Sequence, residues 1–229
     1  MKIALVYIHP TASGAVYAPM ARRFVETYMA NPPGETDHEI HVCINGGIPM
    51  GYWNENLFRP LAPRFFQHNN YGKDIGAYQV AADQINCDLM VCLGAPLHFH
   101  RAGWLDRIVM AYLENGPAVY SPWGFHSPRP HLRTTAFWCP PEFLNSYPVR
   151  VDNSNRYAFE HGAESLTLWS QKQGFEPLQV TWRGTYHMES WHAVDAHESL
   201  LTDQHMAPAW PKPKTNERDR RLLPLPVKQ

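Results

Sequence analysis

Residues 69–123 read NNYGKDIGAYQVAADQINCDLMVCLGAPLHFHRAGWLDRIVMAYLENGPAVYSPW, and their order sets the fold. A polar turn (69–73) enters a helix expected over 74–86, with Ile75, Tyr78, Ala82 and Ile85 on one stripe. The helix leads into 88–93, apolar from Leu89 onward and short enough to be a strand buried on both faces. Small residues Gly94-Ala95-Pro96 follow. A second helix is expected over 103–115, where Trp104, Ile108 and Tyr112 with Leu105, Val109 and Leu113 give a broad apolar face. Gly116-Pro117 stops it, and 118–120 reads as another strand. Strand, helix and strand in this order place a polar loop at the carboxyl end of a buried strand, where open α/β sheets bind ligands.

Outward from this stretch the same rhythm continues. Residues 2–8 form a near-continuous apolar strand, 18–29 a helix, and 38–44 an alternating strand. A short helical piece is expected at 57–63 and a strand at 65–68. The first half therefore reads as a mainly parallel sheet with helices on both faces. Beyond it, 121–133 is rich in Pro, Gly and His and is expected as a loop over the site. A strand at 134–138, a proline-started helix at 140–147, one helix across 159–173 and a strand at 178–182 follow. From 207 onward prolines alternate with charges. The expected organisation is one domain over 1–206 and an extended or disordered tail over 207–229.

Composition narrows the function. The 229 residues carry 20 Lys+Arg against 21 Asp+Glu, so no global charge draws the chain to nucleic acid or an anionic membrane. No apolar run reaches the length of a membrane span, and the first residues run straight into a strand rather than a signal peptide, so a cytoplasmic location is expected. Four cysteines without CxxC spacing read as buried free thiols. No P-loop, GxGxxG, GxSxG, HExxH or EF-hand loop is present.

Four clusters can carry chemistry, each with a structural reading beside the functional one. Asp74 either caps its helix or, with Asn70 and Lys73, contacts a ligand, the lysine facing phosphate. His98 and His100, at i and i+2 on an extended segment, either hydrogen-bond locally or share a metal. Gly94 and Ala95 would let a ligand approach the backbone closely. Arg133, beside Thr134 and Thr135, either forms a surface ion pair or grips a diphosphate. Glu160 and Glu164, taken to open a helix, either complement its dipole or supply a general base.

The runs NYGKDIGAYQ (70–79), DLMVCLGAPLHFHRAGWLDRI (88–108), GPAVYSP (116–122), HLRTTAFWCPP (131–141) and RYAFEHGAESLTLW (156–169) carry a resemblance over residues 1–190. Together they resemble bacterial and phage glycosyltransferase-like proteins of the GT-A fold, relatives of the large inverting family that also makes rhamnose-containing polysaccharides. The resemblance implies a three-layer α/β sandwich and a UDP-, GDP- or TDP-sugar donor. It implies a nucleotide held by Pro10, Thr11 and the turn from Asn70 to Asp74, and a base at Glu160 or Glu164. Where the family carries an acidic DXD motif that holds a divalent metal, this chain has Gly94-Ala95-Pro96. Three outcomes follow from that departure: a metal-independent enzyme, a metal held by His98 or His100, or a domain that binds without turnover. Without a metal, Lys73, Arg101 and Arg133 are the cations available to the leaving diphosphate. The acceptor stays open, including a modified DNA base as in phage enzymes, for which the charged tail could supply contacts.

Overall fold

The computed structural model describes residues 1–11, 14–46, 52–195 and 198–203. The 207–229 tail lies outside the described residues. Strands β1 (Ile3–Pro10), β2 (Glu39–Asn45), β3 (Arg64–His68) and β4 (Leu89–Leu93) run parallel in the order β4-β1-β2-β3. Tyr7 sits opposite Val42 on one side and Leu93 on the other, which fixes the register. Helices α1 (Gly14–Ala30), α2 (Tyr52–Phe58), α3 (Lys73–Gln84) and α4 (Trp104–Asn115) fill the connections. The chain winds from β1 outward to β3, then returns to place β4 on the other flank of β1. That reversal opens a crevice at the carboxyl ends of β1 and β4.

Strict alternation along β1 divides two cores. Ile3, Leu5 and Tyr7 pack with Phe24 and Tyr28 of α1 and with Trp104 and Ile108 of α4. Ala4, Val6 and Ile8 face the other side, against Ile75, Tyr78 and Ala81 of α3. A strand with no polar face can only sit between two helical layers, so the three-layer sandwich expected from the sequence is the structure found. Each fully buried aromatic or Leu contributes roughly 1.5–3 kcal/mol. The four cysteines are free thiols, three of them buried. Among the described residues no helix is long and apolar enough to cross a membrane.

The second half extends the same sheet. Its strands are β5 (Tyr120–Ser121), β8 (Ala136–Cys139), β9 (Leu178–Val180) and β10 (Thr185–Tyr186), giving an eight-stranded order β10-β9-β5-β8-β4-β1-β2-β3. β8 lies antiparallel between β4 and β5. Its start therefore meets the end of β4, and Gly94 N donates to Thr135 O at 2.8 Å. The segment 121–133, expected as a plain loop, holds a small hairpin of β6 (Gly124–Phe125) and β7 (His131–Leu132).

The single helix expected over 159–173 is two. α6 (Arg156–His161) ends at Gly162, and α7 (Leu166–Lys172) starts afresh with the Ser165 hydroxyl accepting from Leu168 N at 3.3 Å. Gly162 leaves the helical region, and a Cβ there would lie 2.6 Å from Ala158 O. An internal serine cap with an apolar stripe on both sides hides such a break from periodicity alone. The Glu160 carboxylate thus closes a short helix rather than opening a long one. A third short helix, α5 (Pro141–Ser146), starts with proline as expected.

Candidate functional site

The crevice at the strand ends is a cleft of two adjoining chambers. The smaller, about 410 Å³, is lined by Pro10, Asn45, Asn70, Lys73 and Ala95. The larger, about 580 Å³, is lined by Gly94, His131, Arg133, Thr135, Glu160 and His161. Tyr17, Asp74, Pro96 and Arg156 line both and form the neck between them. A roomier hollow of about 880 Å³ lies at the opposite, amino ends of β1–β3. It is bordered by an exposed Arg64–Glu39 ion pair, and such pairs are common on ordinary surfaces.

The smaller chamber rests on a strained turn. Asn70, Gly72 and Lys73 all have positive φ, at 67°, 73° and 58°. For the two non-glycine residues this costs roughly 1–3 kcal/mol each, so the surroundings must over-determine the turn. Asn45, at the end of β2 and buried, does much of this. Its amide donates to Lys73 O at 3.1 Å, its Oδ1 accepts from His68 Nδ1 at 2.9 Å, and its carbonyl accepts from Thr11 N at 2.9 Å. Two glycines are required by contact. A Cβ on Gly72 would lie 2.1 Å from Val151 O, and one on Gly76 2.1 Å from Tyr71 O. The outcome is the amino end of α3 at the cleft, a place that favours an anion, with the Lys73 ammonium beside it.

Asp74 is not the helix cap that the sequence suggests, since Gly72 takes that position. The Asp74 carboxylate instead grips Arg156 of α6 bidentately, Oδ1 to Nε at 2.8 Å and Oδ2 to Nη2 at 3.0 Å. Hydrogen bonding to Asp74 raises the guanidinium's already high pKa and keeps it charged. The pair ties the two halves of the chain together at the neck of the cleft.

The far wall of the larger chamber comes from the second half. Arg133 is pinned by three neighbours. Its Nη2 is 2.9 Å from the buried Asp203 carboxylate, its Nε donates to Thr135 Oγ1 at 3.1 Å, and its guanidinium lies 5.6 Å from the Trp123 ring. Thr134 donates its hydroxyl to Glu160 Oε2 in a short hydrogen bond. Glu160 Oε1 lies 3.4 Å from His161 Nε2. The His161 and His131 rings meet edge-on with centroids 4.2 Å apart. Burial lowers the His161 pKa, with His131 and Arg156 adding to the effect and Glu160 opposing it.

Of the residues singled out from sequence, Pro10, Asn70, Lys73, Asp74 and Ala95 line the smaller chamber, and Gly94, Asp74, Arg133 and Glu160 the larger. Thr11 is buried against Asn45 at the base of the turn. Three groups stand apart. Arg101 stacks 4.2 Å over Trp182 and lines neither chamber. Glu164 is exposed and faces Lys172 at 3.5 Å. His98 is buried, with Nε2 on the Arg23 guanidinium of α1, and neither it nor His100 lines the cleft. Burial, then the Arg23 charge, push the His98 pKa down to about 4. The DXD position offers no metal ligand. Gly94 is small because its Cβ would lie 2.9 Å from Thr135 O, and Ala95 and Pro96 carry no side-chain oxygen.

Sequence reasoning missed Arg156, His131 and His161. Arg156 and Glu160 stand four apart on one helical face, a signal available in RYAFEH. The two histidines are 30 residues apart in the chain and meet only through the β6–β7 hairpin.

No protein-family model matches the chain, and no characterised protein matches it by sequence. Solved structures do. A cytidylyltransferase from Leptospira borgpetersenii serovar Hardjo-bovis matches 79% of this chain and 76% of its own, at TM-score 0.53 and 16% identity. Mouse xyloside xylosyltransferase 1 matches 79% of this chain and 86% of its own, at TM-score 0.51 and 10% identity. The chain spans about a third (32%) of the length of S. aureus TarS, at TM-score 0.48 and 11% identity over 73% of this chain. The fold is therefore the GT-A-like α/β sandwich that nucleotidyltransferases and glycosyltransferases share.

Proposed function

We propose that the chain is a glycosyltransferase that takes a nucleotide-sugar donor in the two-chamber cleft. The observation that carries this is the arrangement across the neck. An anion-favouring helix start with Lys73 stands on one side and an oriented carboxylate, Glu160, on the other, with Arg156 between them. The nucleoside would occupy the smaller chamber, against Pro10, Asn45 and Asn70. The diphosphate would lie near Lys73 and Arg156, and the sugar in the larger chamber beside Gly94 and Arg133.

In the transfer, the acceptor hydroxyl oxygen bonds to the anomeric carbon. The bond from that carbon to the diphosphate oxygen breaks, and its electron pair leaves with the nucleoside diphosphate. Glu160 takes the hydroxyl proton. Thr134 holds the Glu160 carboxylate in place by donating to Oε2. Lys73 offsets the charge that develops on the leaving group, a role for a fixed cation that needs no DXD metal.

The test is turnover of UDP-, GDP- and TDP-sugars, read as released nucleoside diphosphate, for wild type and Glu160→Gln. The proposal expects release by wild type and a loss of about 10²–10⁴-fold in the variant, the usual range for a general base. Unchanged turnover in Glu160→Gln would remove that residue's role. A second reading is a domain that binds nucleotide-sugars without turnover, favoured by the absence of any acidic side chain at the end of β4. It expects donor binding by wild type and no release.

A further inference from the structure

Among the described residues, one group of three side chains is disposed to hold a metal ion: His131, Glu160 and His161. Their ligand atoms lie within 4.8 Å of one another. The geometry points to a site for a divalent cation of the zinc class in the far wall of the larger chamber, away from the DXD position at the end of β4.

Four features separate this cluster from a chance gathering of polar groups. The first is the distance between His161 Nε2 and Glu160 Oε1. At 3.4 Å it is long for a charge-assisted hydrogen bond. It matches the spacing of two ligands on one tetrahedral ion, about 3.3 Å when each sits at about 2.0–2.1 Å. The second is the outer support. His131 Nδ1 donates to Arg129 O at 2.7 Å, which fixes the tautomer and leaves Nε2 with its lone pair. Glu160 is held by the Thr134 hydroxyl. Metal-ligating imidazoles and carboxylates are oriented in this way, by a backbone carbonyl and by a hydrogen-bond donor.

The third feature is burial. His131 is buried, and the His161 and Glu160 side chains are only 18% and 14% exposed, so the ligand atoms meet largely away from bulk water. Edge-on packing of the two imidazoles accounts for their 4.2 Å separation, but not for a carboxylate oxygen within 4.8 Å of a nitrogen on each ring. The fourth is charge. The cations that share the chamber are already engaged, Arg156 by Asp74 and Arg133 by Asp203.

Two imidazoles and one carboxylate suit Zn²⁺ and leave a position open to the chamber, whereas Mg²⁺ and Mn²⁺ favour oxygen donors. The role of the ion rests on the transferase reading. An acceptor hydroxyl in the open position would be made more acidic, and Glu160 Oε2 would remain its nearest carboxylate oxygen.

The test is a Co²⁺ titration of the metal-stripped full chain, followed by visible absorption and then by Zn²⁺ displacement. One Co²⁺ per chain with a tetrahedral-type spectrum is expected. His161→Ala, at the cleft surface, should weaken uptake at least 100-fold. Thr134→Val, which removes no ligand, should weaken it about 10–100-fold. Circular dichroism confirms that each variant is folded, and His161→Gln stands in should the alanine variant not be. No uptake by the folded wild type at millimolar Co²⁺ overturns the inference. So does uptake that His161→Ala and Glu160→Gln leave unchanged. Donor binding without metal uptake overturns this site and leaves the transferase reading standing, while metal uptake without donor binding does the reverse.

Discussion

The two walls of the cleft are built on different principles. The wall around the smaller chamber is local. A turn of four residues, the helix it starts and the buried Asn45 hold one another, and these parts all lie between β2 and α3. The wall around the larger chamber is assembled from distance. His131 comes from a hairpin, Thr134 and Thr135 from the entry to β8, and Arg156, Glu160 and His161 from a six-residue helix. The Asp74–Arg156 pair, 82 residues apart, joins the two at the neck, and Gly72 N adds a hydrogen bond to Asn153 Oδ1. A wall held by its own backbone can be strained and rigid. A wall gathered from separate elements can place unlike side chains at one point, which is what chemistry needs.

The largest expected effect falls on the assembled wall. Glu160→Gln should cost turnover about 10²–10⁴-fold and leave donor affinity within a factor of a few, because the proposed base meets the acceptor and not the donor. The local wall should fail the other way. In Gly76→Ala the new methyl meets Tyr71 O, a backbone atom that cannot step aside. A destabilisation of about 2–4 kcal/mol with loss of donor binding is expected, read from chemical unfolding and calorimetry. If Gly76→Ala kept both, the strained turn would not be what shapes the chamber.

A smaller effect sharpens the contrast at His98, which belongs to neither wall. Its folded pKa lies near 4, below the ordinary histidine value of 6.5. The unfolded chain therefore binds this proton first as pH falls. The neutral imidazole's stabilisation is full above about pH 6.5 and is lost on the way down to about 4. His98→Gln should flatten that part of the stability profile, while Co²⁺ uptake stays as in wild type. A loss of metal uptake in this variant would instead place His98 among the ligands.

The same division explains what could be read from the sequence. Most of β1 to α4 is legible because these elements carry their own period: the apolar run of 3–8, the alternation of 39–44 and the stripe of 104–112. The exception is α2, expected as a short piece at 57–63 and found at Tyr52–Phe58, where seven residues are too few to show a stripe. The positions of Lys73, Asp74 and Gly94 follow from that frame, since each lies within a few residues of a strand end. Past residue 120 the signals weaken. β5, β6 and β7 are two residues long, too short to show a period. The break at Gly162 is hidden between two apolar stripes. The sequence places Glu160 at the start of a helix, but it stands at the end of one, so its place in the cleft owes nothing to the helix dipole. His98 and His100 drew attention because they are close in sequence, whereas His131 and His161 are close only in space. Spacing along the chain reports a ligand pair only where one element carries both ligands.

The central claim is that the cleft at the ends of β1 and β4 receives a nucleotide-sugar. The most direct measurement is calorimetric titration of the full chain with UDP-, GDP- and TDP-sugars, on wild type and Lys73→Ala, with and without added divalent metal. The account predicts that one nucleotide class binds at one per chain, that Mn²⁺ is not required, and that Lys73→Ala weakens binding at least tenfold. No binding of any donor by the folded protein, or binding indifferent to Lys73→Ala, would contradict it.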